Sequence, residues 1–400
     1  MNILQINSVC GIGSTGRIAT DIHAILEENG HKSTIAYGRD LPKNCSETIK
    51  IGNKLDNYAH VAKTRIFDDH GFGSKSATKQ FIQEMRALNP DVIHLHNIHG
   101  YYLNVELLFQ YLKEVKKPVV WTLHDCWSFT GHCAYFDFAG CEKWKTGCYA
   151  CPEKKEYPKT MVLDQSKRNY LKKRLLFQGV ENLTIVTPSE WLGDVVRTSF
   201  LGTYDIQVIN NGVDTSVFKP TESNIREKLQ LTNAFMILGV ASVWDRRKGL
   251  KYFLELSSKL KKDEKIVLVG VSDEQIKGLP ENIIGISRTN NVNELAELYS
   301  LADVFVNPTL EDNYPTTNLE SQACGTPVIT FRTGGSPESI QEFSGIITKS
   351  KTVEEIRKSI DGIKNDERYK NADAILEHVR ANFSKKEKFA EYIELYHKVL

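Results

Sequence analysis

The stretch NPTLEDNYPTTNLESQACGTPVITFRTGGSPESI, residues 307–340, links two short apolar strands through one helix. A strand at Val304–Val306 leads into it, a helix begins at Thr316 after a proline, and a second strand lies at Val328–Thr330. We expect threonine to cap this helix, because a hydroxyl at a helix start accepts a hydrogen bond from a backbone N–H. Strand, helix and strand in this order predict a parallel sheet covered by helices.

The same alternation extends through the whole chain and restarts after the turn-rich segment Asn210–Pro220. The strand-like runs of the first half are Ile3–Ile6, Ser33–Tyr37, Val92–His96, Val119–Leu123 and Leu183–Thr187. Those of the second half are Phe235–Val240, Lys265–Val269, Val304–Val306, Val328–Thr330 and Ile346–Ile347. Helix-length segments separate these runs, and the first helix is expected from about Arg17. The pattern predicts an α/β protein with two Rossmann-like domains.

A chain of 400 residues is too long for one ordinary core, so two domains facing each other across a cleft are expected. We place the first at 1–212, with a Cys-rich insertion at about 125–158, and the second at 213–382. The tail 383–400 is predicted to be a helix that packs across both domains. Its apolar residues recur at helical spacing, namely Phe389, Tyr392, Ile393, Tyr396 and Val399.

The composition excludes several classes of protein. A net charge of +1 gives no overall basic field, so no nucleic-acid partner is expected. The first residues, MNILQINSVC, lack the pattern of a secretory signal, and no apolar run is long enough to span a bilayer. We therefore predict a cytoplasmic protein, in which the eight cysteines stay reduced.

A run of three cations lies between a strand and a helix in the second half. Arg246, Arg247 and Lys248 precede a helix that opens at Gly249. A solvated charge run is one interpretation. The other follows from position, because cations at the carboxyl end of a parallel strand can neutralise a departing diphosphate.

The quoted stretch also contains two acids and a helix start. Asp312 and Glu320 are separated by seven residues. The backbone N–H groups from Thr316 and Thr317 onward could bind phosphate, while a carboxylate one turn into the helix suits a ribose diol. The alternative is that Glu320 is an acid on the helix surface. A second anion site is predicted at the glycine turn Gly334 and Gly335, where Ser336, Pro337 and Glu338 would begin another helix.

The first half has a glycine turn and several histidines at strand ends. Gly11, Gly13 and Gly16 lie between the first strand and helix, which predicts either a plain tight turn or a loop for an anionic ligand. His94 and His96 face the same side of one strand, and with His99 they suggest either a metal site or hydrogen-bonded strand-end residues. His124 ends the next strand, and we select it as the functional residue of this domain.

Four cysteines cluster in the insertion, at positions Cys133, Cys141, Cys148 and Cys151. The last two form a C-x-x-C pair beside a glycine, which is a geometry typical of a zinc knuckle. The interpretations are a structural zinc ion or four unlinked buried thiols. Cys126 or His132 could replace one of the four ligands.

A basic segment follows the insertion, at residues 166–177 with the sequence SKRNYLKKRLLF. As a helix it would be basic and amphipathic, which suits peripheral contact with anionic lipid headgroups at the inner face of the cell membrane. The alternative is a solvated helix face.

At these residues the sequence resembles the retaining glycosyltransferases of family 4 along nearly its whole length. The family's donor motif is an acid, seven residues, Glu and then G-T-P-V, and it stands here as DNYPTTNLESQACGTPV. The resemblance is closer to the colanic-acid and capsule branch of bacterial polysaccharide biosynthesis. It is carried by TRIFDDHGF, PDVIHLHNIHGYYLN, WTLHDCWSFTGHC, PSEWL, NGVDTSVFKP, RKGL, EDNYPTT and TGGSPE.

The resemblance implies the GT-B fold and a metal-independent transfer with retained anomeric configuration. It implies that Glu320 holds the donor ribose, that Asp312 or Glu311 holds the sugar hydroxyls, and that Lys248 contacts the diphosphate. His124 matches the family's histidine near the transferred sugar. The sequence departs from the family at Val243, where an arginine is usual, so that Arg246 or Arg247 would supply the second positive charge.

The predicted enzyme moves a hexosyl unit from a nucleoside-diphosphate sugar, with UDP favoured over GDP, to a glycan or lipid-linked oligosaccharide. No cofactor is expected for catalysis. The rival functions are a nucleotide-sugar epimerase, a dehydrogenase that uses the Gly11–Gly16 turn for NAD, and a non-catalytic zinc-stabilised binding protein. The dehydrogenase is disfavoured because the expected acidic partner is missing: the nearest candidate, Asp40, lies beyond a poorly fitting Arg39.

Overall fold

The structure is a computed structural model, and it describes all 400 residues. The chain divides into two compact units. The first contains Met1–Asn210 and Phe389–Leu400, and the second contains Asn211–Lys388. Each unit has one wholly parallel sheet covered by helices, which confirms the predicted α/β class with two Rossmann-like domains.

The first unit has a seven-stranded sheet in the order β3-β2-β1-β4-β5-β6-β7. Its strands are β1 Asn2–Asn7, β2 Lys32–Tyr37, β3 Thr48–Lys50, β4 Val92–Leu95, β5 Val119–Thr122, β6 Leu183–Thr187 and β7 Asp205–Val208. Its helices are α1 Gly13–Glu28, α2 Lys54–Phe67, α3 Lys75–Leu88, α4 Val105–Val115, α5 Ser166–Phe177 and α6 Glu190–Arg197. The Cys-rich segment contains no α-helix or strand, only 3-10 turns at Trp127–Phe129 and Lys143–Lys145.

The second unit has a six-stranded sheet in the order β10-β9-β8-β11-β12-β13. Its strands are β8 Phe235–Val240, β9 Glu264–Val269, β10 Ile283–Ile286, β11 Val304–Asn307, β12 Val328–Thr330 and β13 Gly345–Ile347. Its helices are α7 Ile225–Lys228, α8 Leu250–Ser257, α9 Asp273–Lys277, α10 Val292–Leu301, α11 Thr316–Ala323, α12 Val353–Asn365 and α13 Ala372–Phe383. The last helix of the chain, α14 at Lys385–Val399, ends among the residues of the first unit.

Each sheet has a point at which successive connections leave in opposite directions. In the first sheet β1 lies between β2 and β4, and in the second β8 lies between β9 and β11. Open parallel sheets bind ligands in the crevice outside the strand ends at such switch points. The residues that follow β1, β4, β8 and β11 are therefore the first place to look for a site.

The tail was predicted to carry one apolar face, and this is confirmed within the first unit. Phe389, Tyr392 and Tyr396 are buried against strand residues such as Ile3 and Val120. Because α14 covers a sheet face that would otherwise be exposed to water, the tail completes the core of the first unit.

Two local predictions are wrong, and a third is right only in part. The first helix begins at Gly13, not Arg17. Helix α11 has Pro315 at its cap position and no side-chain cap, because Thr316 already has helical geometry and its hydroxyl points to another partner. The helix predicted at Ser336 is present as a short 3-10 helix with Pro337 and Glu338 in its first turn, but Gly335 and not Ser336 is at the cap position.

Helix α5 forms where it was predicted, but one of its cations is not on the surface. The Nζ atom of Lys173 donates to the carbonyls of Trp127 and Thr130 at 2.7 and 3.1 Å and lies 3.5 Å from the Trp127 ring centroid. Burial lowers the pKa of Lys173 to about 7. The solvated-face interpretation is therefore wrong for this residue. No helix of the chain is both long enough and apolar enough to span a bilayer.

Candidate functional site

The cation run of the second unit lies directly at its switch point. Arg246–Lys248 form a 3-10 turn after β8, and the Asp245 carboxylate accepts from the Lys248 amide at 3.0 Å. Gly249 has a φ of +79°, and a Cβ there would lie 2.3 Å from the Pro308 carbonyl oxygen. Glycine is thus needed for the turn to approach the end of β11.

This approach brings Lys248 against the first acid of the motif. The Lys248 Nζ atom lies 2.5 Å from Asp312 Oδ2, and the two side chains are 21% and 14% exposed. The Arg247 guanidinium donates to the Glu311 carbonyl at 3.2 Å, and the Leu310 amide donates to the Arg247 carbonyl at 2.8 Å. The loops after β8 and β11 are therefore fixed to each other, so Arg247 and Lys248 are not a freely solvated run. Arg246 is exposed.

Glu320 lies in the middle of α11 and is only 4% exposed, so it is not an acid on the helix surface. The Tyr299 hydroxyl donates to Glu320 Oε2 at 3.3 Å, and the Thr316 hydroxyl donates to Oε1 at 3.4 Å. A buried carboxylate that receives hydroxyl hydrogen bonds has the chemistry to exchange them for those of a polyol.

The start of α11 is held beside the second glycine turn. The Asn318 side chain accepts from Asn307 Nδ2 at 2.8 Å and donates to Ser336 Oγ at 3.1 Å. Gly334, with a φ of +51°, and Gly335 precede that serine. The helix start at Thr316 and Thr317 lacks a side-chain cap, so backbone N–H groups and a glycine turn lie close together.

The first unit has a chain of hydrogen-bonded histidines at the ends of β4 and β5. His94 Nε2 lies 2.8 Å from the Thr122 hydroxyl, and His96 Nδ1 lies 3.1 Å from His124 Nε2. His96 Nε2 lies 3.1 Å from Gln5 Oε1 on β1. The hydrogen-bonded interpretation is confirmed for His94 and His96, and the second nitrogen of His96 reaches the switch point.

These imidazoles are neutral near pH 7. Burial lowers the pKa of His124 to about 4, although the neighbouring Asp125 acts to raise it. Burial also holds the pKa of His94 and of His96 well below the usual value. A neutral imidazole offers one donor and one acceptor, which suits a sugar hydroxyl better than a phosphate.

A histidine–carboxylate pair, His99 and Asp125, adjoins His124, and the sequence suggested His99 only as a possible metal ligand. His99 Nε2 lies 2.9 Å from Asp125 Oδ2, and its Nδ1 lies 3.0 Å from the Tyr157 hydroxyl. Burial acts to raise the pKa of Asp125, but His99 and the Trp127 amide bring it below its usual value. His99 and His124 line one small cavity. No spacing in the sequence identifies Tyr157 as a partner, because 58 residues separate it from His99.

In the glycine turn of the first unit, one position has no room for a side chain and another has space around it. Gly11 has a φ of +68°, and a Cβ there would lie 2.1 Å from the Lys43 carbonyl oxygen. Gly13 has a φ of +65°, and a Cβ there would meet nothing within 4 Å. Helix α1 starts at Gly13 without a side-chain cap. The turn follows β1, so it lies at the switch point of this sheet.

The four predicted zinc ligands do not all meet. Cys133 and Cys151 share a thiol hydrogen bond, which raises the pKa of Cys133 and lowers that of Cys151 to about 7. The Gly131 amide donates to Cys148 Sγ at 3.1 Å. Cys141 is partly buried beside the same core. In the structure no three or more His, Cys, Asp or Glu side chains form a group that could hold a metal ion.

The structure thus shows contacts among predicted residues in each unit. In the second unit Lys248 contacts Asp312 and Thr316 contacts Glu320, and in the first His96 contacts His124. Tyr299 is the residue that sequence reasoning missed in the second unit. It lies on α10, and no motif connects it to Glu320.

Each half of the chain matches a family model of known proteins. The family model described as "Glycosyltransferase Family 4" matches residues 15–217, and the model described as "Glycosyl transferases group 1" matches residues 234–366. A curated relative, the putative colanic acid biosynthesis glycosyl transferase WcaC of Escherichia coli K12, is 28% identical over 420 aligned positions. The alignment covers 99% of each chain.

Solved structures show the same fold over the full length. Sucrose-phosphate synthase from Thermosynechococcus elongatus superposes with a TM-score of 0.74 at 18% identity and covers 100% of this chain and 98% of its own. HepE of Anabaena, solved in complex with UDP, superposes with a TM-score of 0.70 at 15% identity and covers 100% of both chains. At these identities the likeness shows the fold alone, which is GT-B.

Proposed function

The chain belongs to glycosyltransferase family 4 and is a glycosyltransferase, and from this premise we propose its substrates and mechanism. The enzyme moves a hexosyl unit from a UDP-sugar, with retention of configuration, to a lipid-linked glycan acceptor in bacterial surface polysaccharide biosynthesis. The second unit binds the donor and the first binds the acceptor. The observation that carries this proposal is the buried Glu320 carboxylate beside an uncapped helix start, with the Lys248–Asp312 pair in the same unit.

The donor assignment follows from matching each group to the chemistry of a nucleotide sugar. Glu320 accepts from the two ribose hydroxyls, replacing the hydroxyls of Tyr299 and Thr316. The amides of Thr316 and Thr317 and the turn at Gly334 and Gly335 offer N–H groups to phosphate oxygens. In this proposal the single helix α11 binds both the ribose hydroxyls and the phosphate oxygens of the donor.

The reacting end of the donor is assigned to the residues after β8 and β11. Lys248, with Arg246 or Arg247, neutralises the diphosphate as it departs. Asp312, or the neighbouring Glu311, accepts from the hydroxyls of the donor sugar. Since Asp312 Oδ2 already lies 2.5 Å from Lys248 Nζ, this acid also orients the cation.

The proposed reaction needs no protein nucleophile. The bond between the anomeric carbon and the diphosphate oxygen breaks, and the acceptor oxygen bonds to that carbon from the same face. The acceptor proton passes to the departing diphosphate. Electrostatic stabilisation of the leaving group is the main contribution of the protein, and a neutral His124 contacts a sugar hydroxyl.

The choice of donor and pathway rests on relatives and is part of the proposal. HepE of Anabaena, which has the same fold, was solved with UDP, and this favours UDP as the leaving group. The relative WcaC carries the name of colanic acid biosynthesis, which favours a surface polysaccharide. Metal independence is proposed because Lys248 and the helix N–H groups supply the positive potential that a divalent ion would otherwise provide.

We also propose a structural zinc ion in the Cys-rich segment. The contact between Cys133 and Cys151 supports it, because two cysteines that are close together can ligate one ion once their thiols are deprotonated. As placed, the four thiols form no group that could hold the ion, so zinc would have to draw Cys141 and Cys148 toward the pair. We expect one zinc per chain by elemental analysis of protein purified without chelator. A zinc content near zero would leave four buried thiols as the correct interpretation.

The donor proposal is tested by transfer assays in buffer with EDTA. We expect UDP to be released from the correct UDP-sugar only when acceptor is present. Glu320→Gln should lower kcat/KM about 10- to 100-fold, because charged hydrogen bonds contribute about 1.5–3 kcal/mol. UDP at a hundredfold excess over Kd should stabilise the wild type by about 2.7 kcal/mol.

Glu255→Gln is the matched control, since this acid lies on the exposed side of α8 in the same unit. It should leave both UDP binding and transfer unchanged. Conversion of the donor without acceptor would identify an epimerase, and stabilisation by NAD alone would identify a dehydrogenase. If Glu320→Gln binds UDP as the wild type does, the ribose assignment is wrong. NMR of the product gives the anomeric configuration.

A further inference from the structure

Helix α2, residues Lys54–Phe67, buries polar side chains and exposes apolar ones. Its buried side chains are the polar residues His60 and Thr64. Its exposed face carries Leu55 and Tyr58 at 78% and 68% exposure, followed by Ile66 at 44%. A surface helix normally does the opposite, because its apolar stripe faces the core. The outward face of α2 therefore has an apolar character that the fold of the unit does not use.

A second exposed apolar segment runs alongside the end of α2. The Met161 amide donates to the Arg65 carbonyl at 2.8 Å, and the Leu163 amide donates to the Ile66 carbonyl at 3.2 Å. Met161 and its neighbour Val162 are 71% and 60% exposed. With Phe67, which is 48% exposed, they extend the apolar face beyond the helix. Two chain segments separated by nearly a hundred residues thus form one apolar surface.

Helix α5 borders this surface and adds charge. The Asn169 side chain donates to the Asp68 carbonyl, and the Gln165 amide donates to the Asp68 carboxylate at 2.8 Å, so α5 begins where α2 ends. Its exposed residues recur at helical spacing on one face. They are Lys167, Arg168, Leu171, Arg174 and Leu175. Leu171 and Leu175 are 50% and 77% exposed.

Cations outnumber acids on this surface. The exposed cations are Lys159, Lys167, Arg168 and Arg174, and the exposed acids nearby are Glu156 and Asp164. Asp68 and Asp69 are buried, where Asp68 contacts His132 and Asp69 contacts Lys63 and Arg168. The Asp164 carboxylate accepts from the amides of Cys151 and Ser166. The combination is a set of protruding apolar side chains with a basic border.

We infer that this membrane-docking surface, formed by the outer face of α2, residues 161–163 and the outer face of α5, binds an anionic lipid bilayer. Large exposed apolar patches mark interaction sites. Apolar side chains that insert among acyl chains, combined with cations at headgroup level, are the requirements for binding in the membrane interface. Charge complementarity favours anionic lipid over a zwitterionic surface.

The buried side of α2 connects the surface to the site of the first unit. The His60 ring lies 5.9 Å from the Tyr101 ring and 6.4 Å from the His70 ring, between centroids. The His70 ring lies 5.5 Å from that of His99, which pairs with Asp125 next to His124. This part rests on the proposed function: the surface would bring a lipid-linked acceptor to the imidazoles. Bilayer binding itself does not depend on the transfer reaction.

The test is co-sedimentation of the full chain with vesicles, without donor or acceptor. We expect binding to vesicles of phosphatidylcholine with 30% phosphatidylglycerol, and much weaker binding to phosphatidylcholine alone. Rising NaCl should weaken it, since surface charge is screened. Phe67→Ser with Val162→Ser should lower the partition coefficient at least tenfold. Lys167→Gln with Arg174→Gln should lower it about fivefold per cation.

Controls of the same chemistry lie elsewhere on the first unit. Leu41→Ser removes a 79% exposed leucine, and Lys75→Gln with Lys79→Gln removes two exposed cations of α3. These variants should bind vesicles as the wild type does. Unchanged binding of UDP and an unchanged melting temperature would show that the docking variants are folded.

Three results would overturn the inference. The docking variants could bind vesicles as strongly as the controls do. The wild type could bind both kinds of vesicle equally, which would remove the role of the cations. Light scattering could show a dimer that Phe67→Ser with Val162→Ser dissociates, which would assign the surface to a second copy of the chain. Absence of transfer with intact vesicle binding would refute the proposed function and leave this inference standing.

Discussion

The two units place polar groups at their switch points in opposite ways. In the second unit, a cation and an acid meet at 2.5 Å while both remain partly exposed, as Lys248 and Asp312 do. In the first unit, His96 and His124 meet at 3.1 Å, and burial lowers the pKa of each so that both are neutral. The second unit thus has a charged pair at its switch point, whereas the histidines of the first unit are uncharged donors and acceptors beside one carboxylate, Asp125.

This difference matches the two halves of a glycosyl transfer. A diphosphate carries charge that grows as it departs, so it needs fixed positive groups that persist at pH 7. A sugar hydroxyl is neutral, and a neutral imidazole can accept from it through one nitrogen or donate to it through the other. We therefore expect substitutions in the second unit to act on the chemical step and those in the first to act mainly on stability and positioning.

The largest effect of a single substitution on kcat/KM is expected at Lys248. Lys248→Met keeps much of the side-chain length and removes the charge, so kcat/KM for the donor should fall about 100- to 1000-fold, the range for loss of one group that stabilises a transition state. The fall should appear mainly in kcat, because the charge on the diphosphate develops during bond breaking. Steady-state kinetics with the UDP-sugar and a saturating acceptor measure it.

Lys251→Met provides the control, since this lysine is exposed on α8, three residues away. It should change kcat/KM less than twofold. If Lys248→Met has the same kinetics as this control, the charge of Lys248 contributes nothing to the reaction. The proposed contrast between charged groups in the second unit and uncharged histidines in the first would then have no functional meaning.

The central strands of both sheets could be predicted from the sequence, whereas the edge strands β3, β7 and β10 were not predicted. Parallel strands are buried on both faces, so they stand out as continuous apolar runs such as Val119–Leu123 and Phe235–Val240. The charged residues Lys248 and Asp312 could be placed for the same reason, since each lies in the loop that follows such a run. Position along the chain was sufficient because the ends of parallel strands meet at one edge of the sheet.

Contacts between distant segments could not be predicted in this way. The hydrogen bond from Tyr299 to Glu320 depends on the packing of α10 against α11, which no spacing encodes. The burial of Lys173 depends on the loop carbonyls of Trp127 and Thr130. The outward apolar face of α2 has the ordinary helical period, so the sequence could not tell which face meets the core.

The smallest effect is expected in the pH dependence of stability in the first unit. The pKa of His124 is about 4 in the folded protein because burial disfavours the charged ring, and about 6.5 in an unfolded chain. As pH falls through 6.5, His124 is protonated in the unfolded state but stays neutral in the folded state. The contribution of His124 to the free energy of unfolding is therefore complete above pH 6.5 and is lost between pH 6.5 and pH 4. From pH 7.5 to 5.5 this loss is about 1 kcal/mol, and His124→Gln should abolish it.

Denaturant unfolding followed by tryptophan fluorescence measures this loss in a Trp244→Phe background, because the other four tryptophans lie in the first unit. His397→Gln, at an exposed position on α14, should keep the full pH dependence. Since His94 and His96 also have lowered pKa values, some loss of stability at acid pH should remain in His124→Gln. An identical pH dependence in the wild type and in His124→Gln would mean that His124 is solvated and can be charged near pH 6. The contrast between uncharged histidines in the first unit and a charged pair in the second would then fail at the residue proposed to contact the sugar.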